Sequence, residues 1–194
     1  MKKFLIILLL FLVHQTSSLA NTLTDFQISK YSVGQSLTNF YSENYIKKNI
    51  IFYSQAKGDK QYAKIEESGK MYDKIVITFQ NNKTYKIAAV EGFIFFKNRI
   101  KDCLKERDKA IKDISNMFKD EKKYDFEKKA HWADQNSYTY DFVIGFGSRE
   151  ELSSTVYDNI RVSCYDWSKK LPYDDHFRIT ISLKEISTWL NNLN

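Results

Sequence analysis

The chain has 194 residues, a formal net charge of +6, six glycines, one proline and two cysteines. That length carries one domain with a full core or two small packed halves, and the absence of Pro/Gly-rich or repetitive stretches leaves no flexible linker between them. The cation excess is modest, and Lys47-Lys48, Lys122-Lys123 and Lys128-Lys129 are scattered among acids; this reads as a solvated surface and disfavours a nucleic-acid partner.

Residues 1–20 have the layout of a secretory signal: basic Lys2-Lys3, the apolar run Phe4 to Val13, then small Ser18 and Ala20 at a cleavage point. Ten apolar residues fall short of the roughly twenty that a spanning helix needs. The expected product is 21–194, exported, periplasmic in a Gram-negative host and otherwise secreted, with a net charge of +4 once Lys2 and Lys3 are gone. No cysteine follows the cleavage point and no later stretch is long and apolar, so neither a lipid anchor nor stable membrane insertion is expected.

In chain order, Phe26 to Tyr31 reads as a strand. Ser36 then caps a helix with Leu37, Phe40 and Tyr41 on one side, and a further turn starting at Ser42 carries Tyr45 and Ile46. Tyr72 to Gln80 alternates as a strand, with Ile75, Ile77 and Phe79 on one face, and Asn81-Asn82 suits a two-residue turn because Asn tolerates positive φ. The strand returns over Thr84 to Phe96, with Gly92 as a candidate bulge.

Asn98 to Phe118 carries apolar residues at Ile100, Cys103, Leu104, Ile111, Ile114 and Phe118, the spacing of an amphipathic helix. Alternation then marks strands at Tyr138 to Gly147, Asn159 to Tyr165 and His176 to Leu183. A last helix carries Ile186, Trp189 and Leu190 behind a capping box of Ser182 and Glu185. The order predicts an α+β fold, an antiparallel sheet with helices packed on one face. A helix followed by strands occurs twice, which leaves room for two similar halves, 21–97 and 98–194, within the single domain 21–194; the identity between them is too weak to assert a repeat.

Export places Cys103 and Cys164 in an oxidising compartment, where a pair predicts a disulfide; two separate buried thiols are the alternative. Both fall on apolar faces, which disfavours a nucleophilic role.

No catalytic motif, metal-ligand set or cofactor motif is evident. There is no G-x-S-x-G elbow, and Gly145-Phe146-Gly147 lacks the third glycine of a nucleotide loop. His131 with Asp134, and Asp174-Asp175 with His176, are the only places where imidazole and carboxylate lie close in sequence, without zincin spacing. They define the rival reading, a small hydrolase or metal-dependent enzyme using His131 and His176 with nearby aspartates.

The stronger candidate is a binding face. With Ile160, Val162 and Cys164 turned to the core, Arg161, Tyr165 and Trp167 turn the other way, joined by His176 and Arg178 from the next strand. Tyr, Trp and Arg supply most of the contact energy of interfaces.

The leader, "SVGQSLTNFYSENYIKKN", "GFIFFKNRIKDCLKERDKAIKDI" and "VSCYDWS" together resemble uncharacterised small exported proteins of marine bacteria. The Val-Gly-x-Ser turn entering a helix and then strands is similar, more distantly, to the α+β modules of outer-membrane assembly lipoproteins and of the β-lactamase inhibitory protein. That likeness implies binding of other proteins. The expectation is an exported soluble binding protein that meets another envelope protein or a small ligand through its sheet face. A structural envelope accessory is the further alternative.

Overall fold

The computed structural model describes residues 22–131, 133–148, 152 and 156–193; the expected leader lies outside them. Among the described residues there are three α-helices, α1 (Glu43–Asn49), α2 (Ile100–Met117) and α3 (Lys184–Asn191). The strands are β1 (Ile51–Phe52), β2 (Tyr62–Glu67), β3 (Lys74–Gln80), β4 (Ile87–Phe95), β5 (Lys122–His131), β6 (Asp134–Phe146), β7 (Asp158–Asp166) and β8 (His176–Ser182).

All eight strands join one sheet in the order β1-β2-β3-β4-β8-β7-β6-β5, with every pair antiparallel. α1 thus precedes one meander, β1 to β4, and α2 precedes another, β5 to β8. The two meet along the β4–β8 pair. Both contribute to one hydrophobic cluster, in which Ile65, Ile77 and Val90 are continuous with Ile144, Val162 and Ile179.

That cluster lies on one face of the sheet. α2 covers β7 and β8 with its apolar stripe, and Cys103 of α2 is bonded to Cys164 of β7, with a Cα–Cα distance of 6.0 Å and both residues fully buried. The segment before β1 covers the same face further along, burying Phe26, Ile28, Tyr31, Leu37 and Ile46. Arg107 of α2 is buried too, and it is satisfied: Nε donates to the Tyr140 carbonyl at 3.2 Å and Nη2 to Asp125 at 2.5 Å. α3 crosses to the opposite face. Its Ile186 and Trp189 pack in a second, smaller cluster with Tyr62, Ala88 and Ala89, and the Trp189 indole donates to Asp59 at 2.8 Å.

Several local expectations are corrected. Phe26 to Tyr31 forms no strand: Ile28 and Tyr31 exchange backbone hydrogen bonds across a reversal at Ser29, where φ is +61°, so the segment folds back on itself. Ser36 does cap a helical turn, accepting from the Thr38 N–H, but that turn is a three-residue 3-10 helix, Leu37–Asn39. The α-helix starts afresh behind Ser42, which accepts from the Tyr45 N–H.

The β3–β4 connection is longer than two residues. Asn82 accepts from the Thr84 N–H at 2.9 Å, Tyr85 takes positive φ, and pairing resumes from Gln80 to Lys86. The ladder irregularity falls where Thr78 faces Ala89 and Phe79 faces Ile87, leaving Ala88 as the extra residue. Gly92 sits in regular pairing, and its lack of a side chain admits the Tyr72 ring, which a Cβ would meet at 2.7 Å. α3 is capped by no side chain of its own first turn; the Lys184 N–H donates instead to Asp158 of β7 at 2.6 Å.

Candidate functional site

Strand register sets the chemistry of the face opposite α2. Side chains directly across neighbouring strands stand side by side, and alternate residues share a face. One row runs Phe93, Arg178, Ser163, Asp141 from β4 through β8 and β7 to β6; the next runs Phe95, His176, Tyr165, Thr139 and ends at Lys129 of β5. Arg161 lies one step along β7, across from Thr180, which faces Glu91 of β4. These are residues whose strand neighbours, Ile160, Val162, Cys164, Phe177 and Ile179, fill the core.

The rows line a groove of about 570 Å³ that holds all five side chains expected to share this face: Arg161, Tyr165, Trp167, His176 and Arg178. Arg161 and Arg178 also line an adjoining hollow of about 250 Å³ that runs to Ile186 and Leu190 of α3. The groove is therefore walled at one end by α3 and at the other by Trp167.

Its floor is tightly organised. The Arg178 guanidinium lies 4.8 Å from the Tyr165 ring centre, donates to the Tyr165 hydroxyl, and faces Glu91 with 3.6 Å between Nη1 and the carboxylate. Burial works against its charge, but Tyr165, Glu91 and Asp141 outweigh that and raise its pKa above the usual arginine value. Its Nε is buried with no hydrogen-bond partner among the described residues. The Ser163 hydroxyl donates to Asp141 at 2.5 Å. Arg99, Arg107 and Arg178 each pair with a carboxylate, whereas Arg161 is exposed and forms no ion pair among the described residues.

The aromatic groups stack in sequence. Tyr165 lies 4.6 Å from His176 at an interplanar angle of 15° and 5.8 Å from Trp167 at 17°. His176 Nδ1 sits 3.3 Å from the Trp167 indole nitrogen and 3.1 Å from the Asp174 carbonyl oxygen. Burial pushes the His176 pKa down to about 4, the Asp174 carbonyl opposes that and the charge of Arg178 adds to it, so the imidazole is neutral at pH 7. Burial likewise raises the Tyr165 pKa. Trp167 is half-buried: its backbone N–H donates to the Asp175 carboxylate at 3.0 Å and Tyr173 packs on its ring at 5.0 Å. The loop that ends in Asp175 thereby fixes the end wall.

His131, placed by sequence in the rival catalytic set, lies in the same groove, 4.6 Å from Trp167 and 6.0 Å from Tyr165. Tyr165 and Trp167 each contact both imidazoles. The aspartates of that set serve the loops. Asp134 accepts from the Ser137 hydroxyl at 2.6 Å and from the Asn136 N–H, and these bonds hold its pKa down to about 2. Asp175 is buried against the Trp167 N–H, and burial raises its pKa. Among the described residues no group of three or more His, Cys, Asp or Glu is placed to hold a metal ion.

Thr139, Asp141 and Lys129 enter the groove, and Glu91 the adjoining hollow, without having been assigned to them by sequence. Thr139 and Asp141 carried a signal, since they alternate with Tyr138, Tyr140 and Phe142; only the β6–β7 pairing brings them beside Tyr165 and Ser163.

Fold and site together define a class by architecture: an α+β protein with an eight-stranded antiparallel sheet, a helix stapled to one face by a disulfide, and an aromatic and basic groove on the other. Comparison with known proteins gives no match at any of three levels, whether family, curated sequence or solved structure.

Proposed function

We infer that the chain is an exported soluble binding protein that takes its partner or ligand in the groove on the sheet face opposite α2 and performs no chemistry on it. The observation that carries this reading is the convergence of Arg161, Tyr165, Trp167, His176 and Arg178 on one groove, with the Arg161 guanidinium exposed and unpaired among the described residues. Aromatic rings anchored by stacking offer contact area at little cost in side-chain entropy, and an arginine without an internal carboxylate is available to an external one. Export is supported by the leader pattern and is compatible with the buried disulfide. No described helix is long and apolar enough to cross a membrane.

The test is capture from an envelope extract by the immobilised mature protein, with both the retained protein and the retained saccharide analysed. The wild type should retain a component that the Arg161→Met/Trp167→Ala variant loses while its circular dichroism spectrum is unchanged. Equal retention by both would remove this face from the function.

A further inference from the structure

We propose that the groove binds an acidic oligosaccharide, with a uronate carboxylate on Arg161 and Arg178 and a sugar ring lying against Trp167. The proposal rests on the reading that this face is a binding site, and it names the ligand class.

Charge comes first. Arg161 and Arg178 are diagonal neighbours on β7 and β8, since Arg161 faces Thr180 and Ser163 faces Arg178. Diagonal neighbours stand about 7–8 Å apart, with their Cβ atoms somewhat closer, so two guanidiniums can converge on one oxyanion. Three cations, Arg161, Arg178 and Lys129, outnumber the two carboxylates that line these hollows; Glu91 is paired with Arg178, and Asp141 keeps its charge while accepting from the Ser163 hydroxyl. Arg161 is left to pair with a ligand, and Lys129 adds a second cation at the far side of the groove. The guanidinium fork matches a carboxylate in geometry as well as in charge.

Shape decides the kind of molecule. From Arg161 to Trp167 the groove runs about 20 Å along β7 at about 3.3 Å per residue, and from β8 to β5 it is about 14 Å wide at about 4.8 Å per strand. That floor of roughly 300 Å² is well below the 800 Å² or so that each side of a stable protein–protein interface buries. The walls at α3 and Trp167 also hold a flat protein surface away from it.

An extended peptide is disfavoured for a different reason. The groove lies on the face of the sheet, where the strand amides and carbonyls are already paired with one another, so a peptide backbone laid there would find no main-chain partners and would lose its water. A saccharide has no backbone amides. Its hydroxyls can use side chains such as Thr139, Asp141 and Thr180, and its apolar C–H faces match the partly exposed ring of Trp167.

Isothermal titration of the mature protein with three probes tests this: a uronate tetrasaccharide, its neutral counterpart with the same linkage, and tetraglutamate. The uronate should bind at least about tenfold more tightly than the neutral sugar and should weaken with added salt. Arg161→Met should cost about tenfold or more and Trp167→Ala up to about tenfold, both against the uronate. Equal binding of neutral and acidic sugars would overturn the role of the arginines. Tetraglutamate binding as tightly as the uronate would overturn the ligand class. No binding of any probe would overturn the proposal outright, while the capture experiment would still decide by itself whether the face binds anything.

Discussion

The Cys103→Ala/Cys164→Ala variant should be less stable than the oxidised wild type by about 5 kcal/mol, and most of that follows from the topology. The bridge joins residues 61 apart in sequence. Closing a loop of that length in the unfolded chain removes entropy worth about 4 kcal/mol at 25 °C on the chain-entropy treatment. Both sulfurs lie at full burial between α2 and β7, so truncation to Ala also leaves a small void, roughly another 1 kcal/mol. Against a typical domain stability of about 5–15 kcal/mol, this is a large fraction.

Urea unfolding followed by far-ultraviolet circular dichroism separates the two contributions. Oxidised wild type against wild type in reducing agent reports the cross-link, and reduced wild type against the double Ala variant reports the void. If oxidised and reduced wild type unfold at the same midpoint, the staple does not constrain the unfolded chain and the reasoning fails. If the double variant falls far below the reduced protein, packing around the sulfurs outweighs the cross-link.

Two further outcomes follow from buried polar groups. Arg107→Met should lose about 2 kcal/mol in the same assay, because the Tyr140 carbonyl and the Asp125 carboxylate lose their buried donor; a loss below about 0.5 kcal/mol would show that the guanidinium does not hold α2 to β5 and β6. His176 titrates near 4 folded against about 6.5 unfolded, so the unfolded state binds more protons in that window. Its contribution is complete above pH 6.5 and is lost as pH falls towards 4, by an amount on the order of 2 kcal/mol after allowing for the partial exposure of the ring. His176→Gln should flatten the stability–pH profile between 6.5 and 4 relative to wild type, and identical slopes would refute the buried neutral imidazole.

Legibility in the sequence followed burial on one side. β6, β7 and β8 alternate because one face packs in the core and the other meets the groove, so their faces could be read directly, although β6 starts at Asp134, four residues before the sequence alternation begins at Tyr138. α2 was legible for the same reason, through its apolar stripe. β5 was not: it is an edge strand, largely exposed and rich in lysine, and its composition matches a solvated loop. β1 has two residues and offers no period at all. Phe26 to Tyr31 misled in the other direction, because its apolar residues are buried by a reversal that needs no partner strand.

Arg161, Tyr165, Trp167, His176 and Arg178 could be grouped from two strands alone, since alternation fixes the face of each and consecutive antiparallel strands are neighbours. The sequence by itself therefore determined the α+β class and the composition of one face, which depend on local period, and with only two cysteines it pointed to the pairing of Cys103 with Cys164 that the structure then supplied. The tertiary structure alone decided the rest. Long-range pairing put β4 against β8, Asp141 beside Ser163 and Lys129 on the row of Tyr165, and it carried α3 across to wall the groove instead of joining α2. Amphipathicity tells a helix which side to bury; which surface it is buried against depends on where the chain has already placed its strands.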